Sequence, residues 1–279
     1  MIGKLIATGS SCEVYEWDGD DKVVKLFHVN TPLKSVQLEY NKSSVAWKSG
    51  LPVPRPFEQV IWEGRHGIVF EKIVGETLVN RIFERLYTFQ KMDNELRLFA
   101  RLLNDIHKTI THDIETDQKK NLKAIIGHPA LFTKEEIRAI HEYLDRLPAK
   151  RQLCQGDTNL SNLILRDGDN KPVMIDWMHA SLGNPAADVA EVCVIIEYAV
   201  LSLETPAAVD MFFRTSRQEA YHIFMDEYCK LSGVTEEEIR SWYVPAAARS
   251  IASGALPNEQ VARLATMIRN MLANSLREI

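Results

Sequence analysis

The chain has 279 residues, 46% of them hydrophobic and 25% charged, with a formal net charge of −5. That length buries a large core without disulfide or metal staples, and the acidic balance excludes a sequence-independent nucleic-acid binder, which needs a basic stripe. No apolar run approaches the ~20 residues of a membrane-spanning helix, and Cys12, Cys154, Cys193 and Cys229 lie far apart with no C-x-x-C pair, as expected of reduced thiols in a cytoplasmic protein.

Residues 1–11 lack the basic-then-apolar layout of a secretion signal. Residues 13–17 alternate in period two, Asp18-Gly19-Asp20-Asp21 is a turn, and 22–27 form a second strand, so the pair is expected to be a hairpin. After Asn30-Thr31-Pro32 the spacing predicts a helix over 33–48, stopped by Ser49-Gly50. Pro52, Pro54 and Pro56 then impose an extended segment. Strands over 57–62 and 67–73 are expected to flank a turn at Glu63-Gly64-Arg65-His66. Beyond Gly75 the pattern becomes helical. Asp93 stands where it can cap a helix with Leu96, Phe99, Leu102, Leu103 and Ile106 on one face. Thr133 and Glu136 are spaced as a capping box, and residues 185–279 carry several helical stretches and no convincing strand. The expected organisation is α+β, with a small β-rich lobe over 1–75 and a larger helical lobe over 76–279.

Strands return once, over 151–177. Residues 162–166 and 172–176 are short apolar strands around Asp167-Gly168-Asp169-Asn170, a hairpin by its turn residues. Symmetry about residue 169 sets Asn162 opposite Asp176, within about one residue of register, and Asp157 lies in the loop leading in. Two carboxylates and an amide oxygen gathered at one hairpin end suit Mg²⁺, with the remaining carboxylate free to accept a hydroxyl proton. Taken alone, Asp157 and Asp176 read equally as turn and strand-end residues.

Two longer segments decide between these readings. Residues 155–165 read QGDTNLSNLIL, and residues 175–190 contain Ile175-Asp176-Trp177 followed by Gly183-Asn184-Pro185 and Asp188-Val189-Ala190. In that order they resemble the H-G-D-x-x-x-x-N-I-L and I-D-W-x-x-A-x-x-G-x-P-x-x-D-L-A stretches of aminoglycoside phosphotransferases, choline kinases and related small-molecule kinases. The resemblance extends over about residues 1–200, and beyond them only in helical character. It implies a bilobal protein kinase-like fold. Two departures stand out: Gln155 replaces the family's loop-bracing histidine, and Asn159, with Leu160-Ser161, replaces a histidine and a Pro-Gly pair. Glutamine can still donate and accept hydrogen bonds.

The resemblance further implies transfer of the γ-phosphoryl group of ATP to a hydroxyl of a small-molecule acceptor, without nucleic acid or membrane partners. Asp157 would orient the hydroxyl and accept its proton, and Asn162 and Asp176 would hold Mg²⁺. Lys25, inside the apolar strand Val23-Val24-Lys25-Leu26-Phe27, would grip the phosphates with Glu39 of the following helix as its partner. The turn at Gly9-Ser10-Ser11 has one glycine, yet its backbone N–H groups would face phosphate oxygens. The connector containing Glu71 and Ile73 would place its backbone beside the base, a contact that does not separate ATP from GTP. Asp188 and His107 are expected as a loop brace and a core histidine, and Glu236-Glu237-Glu238 as a solvated helix start. A nucleotide-binding pseudokinase with a sensing or scaffold role is the alternative. The sequence leaves the acceptor's identity and the oligomeric state open.

Overall fold

The computed structural model describes residues 1–9, 11–127 and 131–275. Five antiparallel strands, β1 (Ile2–Thr8), β2 (Cys12–Trp17), β3 (Lys22–Phe27), β4 (Pro56–Trp62) and β5 (Arg65–Glu71), form one sheet in the order β1-β2-β3-β5-β4. β2 and β3 are the expected hairpin, paired from Cys12 opposite Phe27 to Glu16 opposite Val23. The β4–β5 hairpin turns more tightly than the four residues expected. Trp62 pairs with Arg65, so Glu63 and Gly64 alone make the turn, at φ 49° and 76°. Two consecutive left-handed residues match the twist of paired strands. Arg65 and His66 therefore belong to β5, which ends at Glu71 and leaves Ile73 in the connecting segment.

Alternation sorts β3 onto two faces. Val24 and Leu26 pack with Val69, Trp17, Phe57 and Trp62 on one side. Phe27 packs with Cys12, Ile68 and Val36 on the other, beneath α1 (Leu33–Lys48). This helix spans the residues its spacing predicts and buries Val36, Glu39, Ser43 and Ala46 along one stripe. Lys25 shares a face with Phe27, so period-two geometry turns a cation toward the helix that carries Glu39.

The remaining chain is helical around one large core. Its helices are α2 (Leu78–Tyr87), α3 (Asp93–Lys108), α4 (Gln118–Ile126), α5 (Lys134–Arg146), α6 (Ala186–Tyr198), α7 (Ala207–Ser232), α8 (Glu236–Ser241), α9 (Tyr243–Ala252) and α10 (Asn258–Ser275). The Thr133–Glu136 capping box forms at the start of α5. Asp93 does not cap α3. It is the first helical residue, after Met92, and contributes with Glu95 the negative first turn that the helix dipole favours. α3 and α7 pack through Phe99 and Phe224, ring centroids 6.0 Å apart, and α6 runs buried beside them through Ala186, Val189, Ala190 and Val192–Val194. Among the described residues no helix is long and apolar enough to cross a membrane.

Five short strands sit within this helical part. β6 (Gly75–Thr77), β8 (Leu163–Arg166) and β9 (Pro172–Met174) form one sheet, and β7 (Gln152–Cys154) pairs with β10 (Ser181–Gly183). The β8–β9 hairpin has a register one residue from the symmetric expectation. Leu163 faces Met174, and the Ile175 amide donates to the Asn162 carbonyl at 2.8 Å, so Asn162 stands opposite Ile175. Asp176 is thereby the first residue past the ladder, in the left-handed region at φ 58°. That conformation ends the strand and starts the loop that displays its carboxylate.

Candidate active site

Two ion-pair groups form at the open end of this hairpin. In the first, Lys25 Nζ lies 2.6 Å from Glu39 Oε1 and 3.3 Å from Asp176 Oδ2. Burial alone would pull the Lys25 ammonium down, but Glu39 and Asp176 outweigh it and hold the group above its ordinary value. Burial pushes Glu39 up to about 7 against the pull of Lys25. Asp176 is also disfavoured by burial, yet Lys25 lowers it below the usual carboxylate range. A second lysine of α1, Lys42, donates to the Met178 carbonyl at 2.8 Å, and burial lowers it to about 8.

In the second group both carboxylate oxygens of Asp157 are engaged. Asn162 Nδ2 donates to Oδ2 at 3.1 Å and to the Asp157 carbonyl at 3.0 Å, while Arg249 Nη2 lies 2.9 Å from Oδ1. Arg249 also pairs with Glu191, which accepts from the Thr158 amide at 3.0 Å and its hydroxyl at 3.1 Å. Burial pushes Glu191 up to about 7. Burial also opposes the charge of Arg249, but Glu191 and Asp157 raise it above its ordinary value.

Gln155 joins the two groups. Its Nε2 donates to the Asp176 carbonyl at 2.8 Å, and its Oε1 accepts from the Asp157 amide at 2.7 Å. Behind it, Asp188 accepts from the backbone amides of Gln155 at 2.6 Å and Gly156 at 3.2 Å, as a loop brace should. His107 lies 3.2 Å from Asp188 through Nε2 and 2.7 Å from the Tyr228 hydroxyl through Nδ1. The histidine is satisfied, as expected of a core residue. Cys154 lies close enough to His107 and Asp188 for the three to surround an ion, but both imidazole nitrogens already have protein partners. Gly156 is required by geometry: its φ is 77°, and a Cβ there would stand 2.3 Å from the His179 carbonyl oxygen. Trp177 is buried core, its indole N–H on the Met174 carbonyl.

Residues 3–232 match the model of the phosphotransferase enzyme family. The chain belongs to that family. A comparison with curated proteins finds no match. Among solved structures, choline kinase LicA from Streptococcus pneumoniae aligns with a TM-score of 0.63 at 15% identity, covering 98% of this chain and 94% of that one. Aminoglycoside phosphotransferase APH(3'')-Id from Streptomyces rimosus aligns with a TM-score of 0.62 at 14% identity, over 88% and 91% of the two chains. An ethanolamine kinase from Plasmodium vivax gives 0.60 at 13%, over 97% and 81%. At such identities the likeness speaks for the fold, the kinase-like one, with its β-sheet N-terminal part and helical C-terminal part.

In this phosphotransferase-family chain Lys25, Glu39 and Asp176 come together, as do Asp157 and Asn162, while the residues expected at the nucleotide side stand apart from both groups in the contacts described. Ser10 lies outside the described residues. Ser11 is half-buried, and its carbonyl accepts from the His28 amide at 2.9 Å. Glu71 closes β5 with its carboxylate 3.2 Å from the Arg55 amide, and Ile73 lies between β5 and β6. The donor set at the hairpin end fits Mg²⁺: Asn162 uses its amide nitrogen on Asp157, its Oδ1 has no hydrogen-bond partner among the described residues, and the Asp176 side chain keeps 34% exposure. Glu238 is not a purely solvated acid, since it accepts from Asn184 at 2.9 Å and pairs with Lys150 at 2.6 Å.

Sequence reasoning missed Glu191, Arg249 and Lys42. Glu191 had a usable signal, because it follows Asp188 by three residues and so shares a helix face with the loop brace. Lys42 likewise follows Glu39 by three residues on α1. Arg249 carried no signal: it lies on α9, far along the chain from any motif, and only the packing of α9 on α6 brings it to Asp157.

Proposed function

We propose that the protein transfers the γ-phosphoryl group of ATP to a hydroxyl of a small molecule. The observation that carries this reading is the convergence of Lys25, paired with Glu39, on Asp176 at 3.3 Å, with Gln155 tying the Asp176 loop to Asp157. Residues 1–75 act as the nucleotide lobe, and 76–279 carry the catalytic and metal loops and the acceptor site. Lys25 binds phosphate oxygens, with Glu39 fixing its position. The backbone around Ser10 and Ser11 faces the phosphates, and that of Glu71 and Ile73 lies beside the base. Asn162 and Asp176 hold Mg²⁺, which when bound neutralises charge on the phosphates. A fold neighbour solved as a ternary complex with ADP and hygromycin B supports a nucleotide donor and a small-molecule acceptor.

Asp157 points the acceptor hydroxyl at the phosphorus and takes its proton as the bond forms. Its carboxylate is pre-set by Asn162 and Arg249 and remains 25% exposed. In such transfers positioning and charge stabilisation supply most of the acceleration. Gln155 favours an active enzyme over a pseudokinase, because it makes the loop-bracing bonds itself.

The test has two arms. Saturating Mg-ATP should raise the melting temperature of the wild type, since a ligand at 100 times its Kd adds ~2.7 kcal/mol to stability, and Asp176→Ala should weaken that shift. ADP release in a screen of hydroxyl compounds should depend on the acceptor and vanish in Asp157→Ala. Absence of any shift with Mg-ATP or Mg-GTP would overturn the reading. A shift without acceptor-dependent turnover across the screen would favour the pseudokinase.

A further inference from the structure

A polar cavity of about 170 Å³ lies behind the catalytic loop, its lining including Asn104, His107, Lys108, Gln152, Tyr228 and Glu238. One water needs only ~15 Å³ of such space, so the cavity has room for a small molecule. Its walls come from the C-terminal ends of α3 and α7, from β7 and from α8. The same walls carry the last links of the brace that holds the loop. The Gln155 and Gly156 amides donate to Asp188, Asp188 meets His107 Nε2, and His107 Nδ1 meets the Tyr228 hydroxyl. Gln152 donates to the His107 carbonyl at 3.1 Å.

Three side chains on these walls have unused hydrogen-bonding capacity. Asn104 is 4% exposed, yet its amide nitrogen reaches only Asp105 Oδ1, at 3.5 Å, beyond an ordinary hydrogen bond. Its oxygen has no hydrogen-bond partner among the described residues, a rare condition for a buried amide. Lys108 Nζ lies 3.3 Å from the Leu231 carbonyl and pairs with no carboxylate among the described residues. Lys150, which also lines the cavity, lies 2.6 Å from Glu238 Oε1, and Asn184 donates to the same oxygen at 2.9 Å. Glu238 Oε2 is thereby left without a partner among the described residues. The lining thus offers an ammonium and a carboxylate oxygen at once. A bare anion would face Glu238, and a bare cation would face two lysines. A zwitterion is opposed by neither.

We propose that this cavity is a regulatory site for a free amino acid, whose carboxylate pairs with Lys108 and whose ammonium pairs with Glu238, with the Asn104 amide as a third partner. His107 and Tyr228 are walls of the cavity and links of the brace, so opening of the loop that carries Asp157 disturbs the site. An amino acid bound there therefore suppresses that opening by mass action. The site stands apart from the phosphotransfer reading; only its effect on turnover rests on that reading.

The experiment titrates each standard amino acid calorimetrically into the full chain, with propionate and ethylamine as single-charge probes the size of alanine. At least one amino acid should bind at millimolar concentration or below, and at least about tenfold more tightly than either single-charge probe. Lys108→Met changes an exposed side chain, and Glu238→Gln keeps an oxygen for Asn184. Each should weaken that amino acid about tenfold. In hydrogen exchange the Gln155 and Gly156 amides, which donate to Asp188, should slow about tenfold at ten times the Kd. Propionate or ethylamine binding as tightly as the best amino acid overturns the proposal, and so does binding that both variants leave unchanged. Failure of every amino acid at millimolar concentration also overturns it and assigns the cavity to water. Exchange rates that the bound amino acid does not alter overturn the link to the loop. The Mg-ATP melting shift is read separately. Its absence brings down the phosphotransfer reading and leaves the amino-acid site standing; its presence without amino-acid binding brings down the site alone.

Discussion

Gln155 and Asp176 are joined by a 2.8 Å hydrogen bond from the glutamine Nε2 to the aspartate backbone carbonyl. The same side chain accepts from the Asp157 amide at 2.7 Å, so one residue sets the spacing of both functional loops. Gln155→Ala removes both bonds, which tie part-buried backbone groups of the two loops. It should lower kcat by about 10–100-fold, the effect of slight misplacement on an in-line transfer, with a smaller change in the ATP-induced melting shift. Gln155→His restores a planar donor–acceptor ring, and should recover activity to within about fivefold of wild type. Equal losses in the two variants would show that the amide geometry itself is needed.

Lys25 lies between two carboxylates in a nearly dry site, its side chain 10% exposed and that of Glu39 1%. Lys25→Met leaves Glu39 buried beside Asp176 without the ammonium that pairs with both. Breaking a buried pair in this way costs about 3–5 kcal/mol, readable in urea denaturation at neutral pH. Glu39→Gln should cost less, since the amide resembles the protonated acid and burial already pushes Glu39 up to about 7. Both variants should weaken the Mg-ATP shift, Lys25→Met to nothing. A Lys25→Met protein as stable as wild type would mean that the pair contributes no net stability.

Gly156 combines a φ of 77° with a neighbour that cannot yield, the backbone carbonyl of His179. Gly156→Ala should therefore cost more than the ~1–2 kcal/mol of a left-handed conformation alone. The loop carrying Asp157 has to shift to relieve the clash, so activity should fall more steeply than stability. Gly168, at φ 86° in the β8–β9 turn, has nothing within 4 Å of such a Cβ. Gly168→Ala is thus the control for backbone strain without the clash, and should keep activity.

What the sequence showed and what it hid divide along the range of the interactions. The β2–β3 hairpin, α1 and the Thr133–Glu136 cap are local, set by alternation, turn residues and side chains three apart, and each stands at its expected place. Lys25 with Glu39 was legible because an ammonium inside an apolar strand demands a partner, and α1 supplied one. The β8–β9 register was off by one because turn symmetry leaves that much freedom, and the left-handed Asp176 absorbs the difference. β6 pairs with β8 across most of a hundred residues, through three-residue strands too short to leave a pattern. Arg249 reaches Asp157 only through helix packing, which no periodicity reports.

Lys42 gives the fold a pH dependence whose sign follows from its burial. It is 3% exposed, bonded to the Met178 carbonyl, and lowered by burial from 10.5 to about 8. Below pH 8 both folded and unfolded chains keep the proton. Between about 8 and 10.5 the folded chain releases it while the unfolded chain holds it, so the unfolded state binds more protons and stability rises with pH. Other groups titrate in the same range, so the readout is the difference between wild type and Lys42→Met in denaturation series. That difference should stay flat from pH 6 to 8 and then move in favour of wild type, by about 3 kcal/mol at most once pH 10.5 is reached. Movement in the opposite direction would mean that the lysine is held charged by its surroundings. α1 would then be anchored to the Asp176 loop by an ammonium, as it is through Glu39 and Lys25, and Lys42→Met should loosen that loop at every pH.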